Sequence, residues 1–398
     1  MFSHRSDFLR HLAQTSPEPM GLEIVSAKGL YLKGIDGKRY LDLISGISVN
    51  ALGHQHPLLI KAIQKQSRKF SHVMVYGEMV QGPQVRFAKL LCSCLPEPLQ
   101  SVYFVNSGTE ATEGAMKLAK RATGRSGFVS FHQSYHGSTQ GALSLMGGAY
   151  FTDAYLPLLP DIQHARYEEP ESLNAITEKT AAVFIETVRA EAGAIPVSID
   201  FLKKIQAKCK ETGALLVLDE IQTGLGRTGT LFSMEQSGIV PDVLLLAKSL
   251  GGGLPLGAFI SSPELMGTLS HKPVLGHLTT FGGHPLSCAT GYAQLAYIRK
   301  QRLWEMAQER SAEFREKVAH ERIQKINGRA WLMGLEFDRS QTNFAVLKKA
   351  LELGLVSDWF LFNDRSLRVA PALTIGSADI KKAVGIIHRA IEAVGGLG

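Results

Sequence analysis

Three apolar segments of the chain stop at residues that can react or carry charge. "DVLLLAKSLGGG" ends in Lys248 ahead of three glycines, "ALLVLDEIQTG" ends in Asp219-Glu220, and "SVYFVNSGTEATEGAMKLAK" passes through Ser107-Gly108-Thr109 into a helical pattern. Singly, each has an ordinary explanation. A strand-end lysine extends its ammonium to water, a strand-end carboxylate makes a structural ion pair, and Ser107 or Thr109 caps a helix. Together they offer an amine, a carboxylate and, at a helix start, backbone N–H groups helped by the helix dipole. In an open parallel sheet the carboxyl ends of the strands share one edge, so the three sets converge there.

That trio meets the needs of pyridoxal phosphate. The amine forms an imine with the cofactor aldehyde, the carboxylate keeps the pyridine nitrogen protonated as an electron sink, and the turn holds the phosphate. A partly desolvated lysine near a cation has a lowered pKa, which makes it a nucleophile and a proton carrier. "GLGRTG", downstream of Asp219, looks like a dinucleotide fingerprint, but it lies well past the strand and its glycine spacing is wrong.

The elements that must position these residues are legible in the patterning. "SVYFVN", "GFVSFH", "AAVFIET", "ALLVLDE", "DVLLLA" and "PLGAFIS" are short β-rich runs separated by helical or loop-rich stretches. Such alternation predicts an α/β fold with a mostly parallel sheet and helices on both faces. Ahead of it, "LEIVSAKGLYLKGIDGKRYLDLI" alternates apolar and polar residues around a turn at Asp36-Gly37, which predicts a small antiparallel sheet. A long helical region near residues 286–320 leads to a second α/β unit. There "RAWLMGLEF" and "SLRVAPALT" read as strands, and "SADIKKAVGIIHRAIEAV" as the last helix with Ser377 as N-cap. The expected division is 1–56 as an N-terminal segment of a small domain, 57–289 as the large domain, and 290–398 as the C-terminal part of the small domain.

Composition narrows the function classes. With 398 residues the chain exceeds one ordinary core. No apolar run approaches the roughly 20 residues of a membrane span, and the amino terminus has no secretory pattern, so a cytoplasmic protein is expected. Cys92, Cys94, Cys209 and Cys288 are too scattered for a disulfide framework or a zinc pair. The net charge of +7 is spread over interleaved acidic and basic residues, so neither nucleic acid nor a membrane is an expected partner. His54 and His56 in "GHQHP" read as part of a turn, and no metal is expected.

The set "YLDLISGISVNALGHQHP", "FVNSGTEATEGAMKLAK", "SYHGST", "LVLDEIQTGLGRTG", "PDVLLLAKSLGGGLPLGA", "TTFGGHPLS" and "LRVAPALT", in that order over nearly the whole chain, resembles class III aminotransferases of the ornithine and acetylornithine type. The resemblance implies a fold type I architecture, with both chain ends forming the smaller domain, and a homodimer with shared sites. It implies that Lys248 carries pyridoxal 5'-phosphate and moves the proton, and that Asp219 pairs with the pyridinium nitrogen. Gln222 contacts the ring's phenolic oxygen, Ile221 packs on one ring face, Tyr135 stacks on the other, and His136 beside it is also in the cofactor site. Ser107, Gly108 and Thr109 form the phosphate turn, and Thr280 reaches the phosphate of the neighbouring subunit. Arg368 binds the substrate α-carboxylate, Glu191 pairs with that arginine until an α-carboxylate displaces it, and Tyr76 lines the substrate entrance.

The sequence departs from that pattern at Thr187 and Arg189 in "ETVR", at Ser138 in "HGST" and at His284 in "GGHP". Arg189 is either a second anion contact, favouring an acidic or N-acylated substrate, or an outward-facing charge. The expected reaction is ping-pong transfer of an amino group from an ω-amino or N-acylated diamino acid to a 2-oxo acid such as 2-oxoglutarate. A mutase, decarboxylase or racemase on the same scaffold, or a non-catalytic binding protein, are the alternatives.

Overall fold

The computed structural model describes residues 3–75 and 77–395. Its centre is a seven-stranded sheet. Across the sheet the strands run Ser101–Val105, Gly257–Ser261, Val243–Leu246, Leu215–Asp219, Thr180–Glu186, Gly127–Phe131 and Ile162–Ala165. Neighbours pair in parallel except Gly257–Ser261, which runs antiparallel to both of its neighbours. The α/β, mostly parallel sheet expected from the patterning is therefore present. Its inner strands read as unbroken apolar runs because both faces are covered. Val183, Ile185, Leu216 and Leu218 belong to one buried cluster, and Ala182, Phe184, Val217 and Leu245 to another on the opposite face.

The antiparallel meander lies where the alternation placed it, at Ile24–Lys28, Tyr31–Gly34 and Arg39–Asp42, with Gly37 at φ +81° in its turn. Leu355–Val356 adds to it in parallel beside Arg39–Asp42, so strand pairing joins the two ends of the chain. A second four-stranded sheet contains Lys325–Arg329, Leu332–Glu336, Asn363–Val369 and Trp359–Phe360. The predicted helical region is two helices, Pro285–Gln301 and Leu303–Val318, broken at Arg302 with φ +49°.

One capping expectation is corrected. Ser377 is the first residue of the final helix, Ser377–Gly395, and its hydroxyl donates to Glu313 Oε2 at 2.8 Å. The amide of Ile380 bonds back to the carbonyl of Gly376, so the chain enters the helix one residue earlier.

Candidate active site

Lys248 lies one residue past the Val243–Leu246 strand, after Ala247, and opens a 3₁₀ turn, Lys248–Gly251. Its φ of +48° is in the left-handed region, costly for a residue with a side chain and common where geometry serves function. Of the glycines behind it, Gly252 is short of both space and backbone freedom. A Cβ on Gly252, itself at φ +62°, would sit 3.0 Å from the Thr290 carbonyl oxygen. Thr290 and Gln294, on the helix Pro285–Gln301, grip the turn: Thr290 Oγ1 donates to Gly251 O at 2.6 Å, and Gln294 Nε2 donates to Ser249 O. So held, Lys248 Nζ points into a cavity of about 500 Å³ and donates to Gln222 Oε1 at 3.1 Å. Burial pushes the ammonium below its ordinary pKa, opposed by Glu191 and reinforced by Arg368.

Asp219 closes the Leu215–Asp219 strand. Its Oδ1 accepts from Ile221 N at 2.9 Å, and its Oδ2 lies 2.7 Å from His136 Nδ1, with His136 wholly buried. Burial disfavours a charged imidazole, but the hydrogen bond and charge of Asp219, with Glu186 behind, outweigh it and raise the His136 pKa. Glu186 ends the adjacent strand, also lines the cavity, and is pushed up to about 7, chiefly by burial. Sequence reasoning missed Glu186. The signal was available: it closes "AAVFIE" as Asp219 closes "LLVLD".

Ser107 caps the helix Gly108–Thr123 by accepting from Glu110 N at 3.3 Å, and Ser107, Gly108 and Thr109 all line the cavity. The capping reading therefore holds, at a turn that also faces the cavity. Thr109 Oγ1 lies 2.7 Å from Thr139 Oγ1, which in turn donates to Glu113 Oε1 at 2.6 Å. Tyr135, Ile221 and Gln222 line the same space. Tyr135 OH is 3.1 Å from Ser138 Oγ.

Arg368 lies in the strand Asn363–Val369 and is 3% exposed, shut away behind Glu191. Nη1 and Nη2 donate to Glu191 Oε1 and Oε2 at 2.9 and 2.8 Å, while Nε donates to Asp358 Oδ1 at 2.8 Å. Burial works against an ionised Glu191, but Arg368 prevails and lowers its pKa. Glu191, not Arg368, faces the cavity.

The departures from the family pattern fall into place around this cavity. Arg189 is outside its lining: the guanidinium lies 4.6 Å from the Tyr167 ring centre and donates to Gln133 Oε1. The anion-contact option for Arg189 therefore has no geometric support. His284 caps the helix Pro285–Gln301, its Nδ1 accepting from Leu286 N at 3.3 Å, so the imidazole replaces an asparagine-type acceptor. Thr187 Oγ1 donates to Ser233 Oγ at 2.7 Å beneath the sheet edge. His54 pairs with Asp42 at 2.9 Å, and the His56 ring packs on Tyr297. Thr280 is exposed and lies outside this cavity, and Tyr76 lies outside the described residues.

The donors and acceptors present fit pyridoxal phosphate. Gln222 Nε2 is buried without a partner beside Lys248, a donor of the kind a phenolate oxygen needs. An amine, a buried carboxylate paired with a histidine, and a helix-start turn face one space large enough for a cofactor with part of a substrate.

Comparison with known proteins identifies the family. The model of the class-III aminotransferases matches residues 12–391. The acetylornithine aminotransferase of Methanosarcina mazei is 37% identical, covering 93% of this chain and 91% of its own. That of Streptomyces coelicolor is 38% identical, with 95% and 94% covered. Among solved structures, the ornithine aminotransferase of Toxoplasma gondii ME49 superposes with a TM-score of 0.90 at 28% identity, covering 99% of this chain and 95% of that one. A transaminase from the marine bacterium Virgibacillus gives 0.92 at 25% identity, with 99% of both chains covered. The chain belongs to the class-III aminotransferases, and pyridoxal phosphate is the cofactor that its cavity is built to hold.

Proposed function

We propose that the protein transfers an amino group from an ω-amino or N-acylated diamino acid to a 2-oxo acid such as 2-oxoglutarate, in two half-reactions at one cavity. The observation that carries this reading is the closed Arg368–Glu191 pair beside Lys248. With the pair closed, the cavity presents a carboxylate and accommodates the far end of a donor that reacts through a distal amine. With Glu191 displaced, it presents a guanidinium fork suited to an α-carboxylate. One pocket then serves two unlike substrates. The similarity to acetylornithine aminotransferases supports an N-acylated donor.

The bound cofactor supplies the aldehyde that takes up the amino group and the electron sink that stabilises the developing carbanion. The protein's own residues do the rest. Lys248 Nζ holds the cofactor, then removes and returns the proton at the substrate carbon. Asp219, fixed by Ile221 N and His136, would face the pyridine nitrogen. Gln222 Nε2 would donate to the phenolic oxygen. Ile221 and Tyr135 would flank the ring. Ser107, Gly108 and Thr109 would hold the phosphate at the helix start.

The proposal includes a homodimer in which Thr280 completes the partner's phosphate site. Its support is that Thr280 is exposed on a segment whose Val274, Leu275, Leu278 and Phe281 are also exposed. Among the described residues no helix is long and apolar enough to cross a membrane. We place the enzyme in the cytoplasm, where free amino and oxo acids meet, and cell fractionation tests that.

The deciding experiment incubates the purified holoenzyme with 2-oxoglutarate and a panel of donors: N-acetylornithine, ornithine, lysine, γ-aminobutyrate and diamines. Glutamate should form, with the N-acylated or ω-amino donors leading. Its absence with every donor removes the proposal.

A further inference from the structure

The guanidinium of Arg368 is held by two carboxylates, and they are not equivalent. Glu191 takes the two terminal nitrogens, the end-on face that a planar carboxylate engages through two parallel hydrogen bonds. Asp358 takes Nε, on the edge of the fork. Glu191 lines the cavity and Asp358 does not. Glu191 sits in the short turn Ala190–Ala192, which ends at Gly193 with φ +98°. Asp358, by contrast, is tied to the arginine's own backbone, since the Arg368 amide donates to the Asp358 carbonyl at 2.9 Å. Ser357 Oγ donates to the Arg368 carbonyl at 2.6 Å, and the Trp359 carbonyl accepts from Nη2 at 2.9 Å. Phe360 lies against the guanidinium at 4.2 Å. A bulge between Trp359 and Phe360 bends this edge of the sheet so that the segment 357–360 wraps around the arginine.

We infer that Asp358 is the permanent positioning partner of Arg368, fixing the fork's direction so that only the Glu191 face is exchanged for a substrate carboxylate. The Phe360 ring sets the plane of the guanidinium, but a plane leaves rotation within it open. The Nε bond to Asp358 removes that freedom. Asp358 also balances the arginine's charge when Glu191 leaves, so a buried guanidinium is never left unpaired. The two carboxylates repel each other across one cation, which weakens the hold on the exchangeable member. Two half-reactions therefore depend on Asp358 unequally. The one that places an α-carboxylate on Arg368 needs the aimed fork, and the ω-amine one leaves Arg368 with Glu191.

This inference rests on the transaminase reading, and its test separates the two. Asp358→Ala and Asp358→Asn are compared with the wild-type holoenzyme by calorimetric titration with glutarate, an unreactive dicarboxylate. Single-turnover measurements follow, with 2-oxoglutarate on one side and N-acetylornithine on the other, or γ-aminobutyrate if it is the better donor. Asp358→Ala should weaken glutarate binding and the half-saturation of the 2-oxoglutarate half-reaction by roughly tenfold, the scale of one lost charge-assisted hydrogen bond. The donor half-reaction should change by less than about twofold. Asp358→Asn, which keeps an oxygen for Nε but not the charge, should recover part of the loss. Equal losses in both half-reactions, unchanged glutarate affinity, or an asparagine variant as impaired as alanine overturns the inference. If Asp358→Ala does not fold, Asp358→Ser, one atom too short to reach Nε, takes its place under the same outcomes. A wild-type enzyme with no 2-oxoglutarate half-reaction sinks the transaminase reading instead.

Discussion

Glu186 and Asp219 stand side by side, register partners on adjacent parallel strands that both end at the cavity. Two buried carboxylates at that distance cannot both ionise cheaply. The arrangement resolves the conflict by giving Asp219 the His136 ring and leaving Glu186 with two backbone amides, Ala190 N at 3.1 Å and Tyr135 N at 3.4 Å. Glu186, raised from 4.5 to about 7, is the member that keeps a proton near neutrality.

The sign of the resulting pH dependence follows from the raised value. Stability associated with neutral Glu186 is fully present below pH 4.5 and is lost as pH rises through about 7. The penalty at high pH is of order 3 kcal/mol. Glu186→Gln cannot ionise but keeps only one of the two accepting oxygens. Thermal unfolding of the cofactor-free variant should start below wild type near pH 5 and gain several degrees on it by pH 8. A constant offset at both pH values would falsify this assignment of the proton.

Lys248→Ala should retain cofactor through the phosphate turn, Asp219 and the ring contacts, yet lose turnover by 10²-fold or more, the scale of a missing acid–base group. Borohydride treatment of wild-type holoenzyme should leave a reduced pyridoxyl label on Lys248 alone, and the variant should take none. Because burial lowers the Lys248 pKa below 10.5, the neutral amine is available at lower pH than for free lysine. The rate at which apoprotein captures the aldehyde should accordingly level off below pH 10.5. Stopped-flow absorbance across pH checks this.

How much of this was readable in advance depends on how local each signal is. Asp219, Lys248 and the Ser107–Thr109 turn were legible because each closes or follows a strong apolar strand, and a parallel sheet brings such ends together. Their partners Glu191 and Arg368 rested on family resemblance, since they lie 177 residues apart, one in the short turn Ala190–Ala192 and the other in the strand Asn363–Val369. Asp358 gave no signal, because a carboxylate beside an exposed tryptophan in "VSDWFLF" reads as a surface turn. Only the bond from Arg368 Nε to its side chain, with the bulge and the Arg368 backbone bond behind it, gives it a role. The strand Ile162–Ala165 was missed because "IQHA" is short and half polar, as suits the outer edge of the sheet. Ser377 was misassigned as a cap because the sequence does not reveal Glu313 waiting across the helix pair to accept its hydroxyl.

Removing Glu191 should redistribute specificity rather than abolish activity. In Glu191→Gln the bidentate, charge-assisted pair becomes a weaker neutral contact, so Arg368 is more available to an α-carboxylate. Reaction with glutamate as donor should speed up relative to the ω-amino donor, with a change in their kcat/KM ratio of about tenfold or more. Glu191 carries a lowered pKa, so the closed pair's stabilisation is present above 4.5 and is lost as pH falls through the folded value. Equal effects on both donors would assign Glu191 a structural role instead.

Gly108→Ala tests the ring-face contact through space rather than charge. Gly108 opens the helix at an ordinary helical position, so alanine introduces no backbone strain and favours the helix slightly. Its Cβ would, however, lie 2.9 Å from Ile221 Cδ1 and 3.1 Å from Cγ2. The Cδ1 end can rotate away, but Cγ2 is bonded to Cβ and moves only with the side chain as a whole. Ile221 N is fixed on Asp219 Oδ1, so the displacement falls on the side chain that faces the cavity. The apoprotein's unfolding temperature should therefore change little, while cofactor affinity, read from absorbance titration, should fall by roughly tenfold, about the loss from one displaced aliphatic side chain. Gly108→Ala combined with Ile221→Val, which removes Cδ1 and only part of the crowding, should recover part of that affinity. If the double variant binds no better than Gly108→Ala alone, the contact between Gly108 and Ile221 does not shape the ring site.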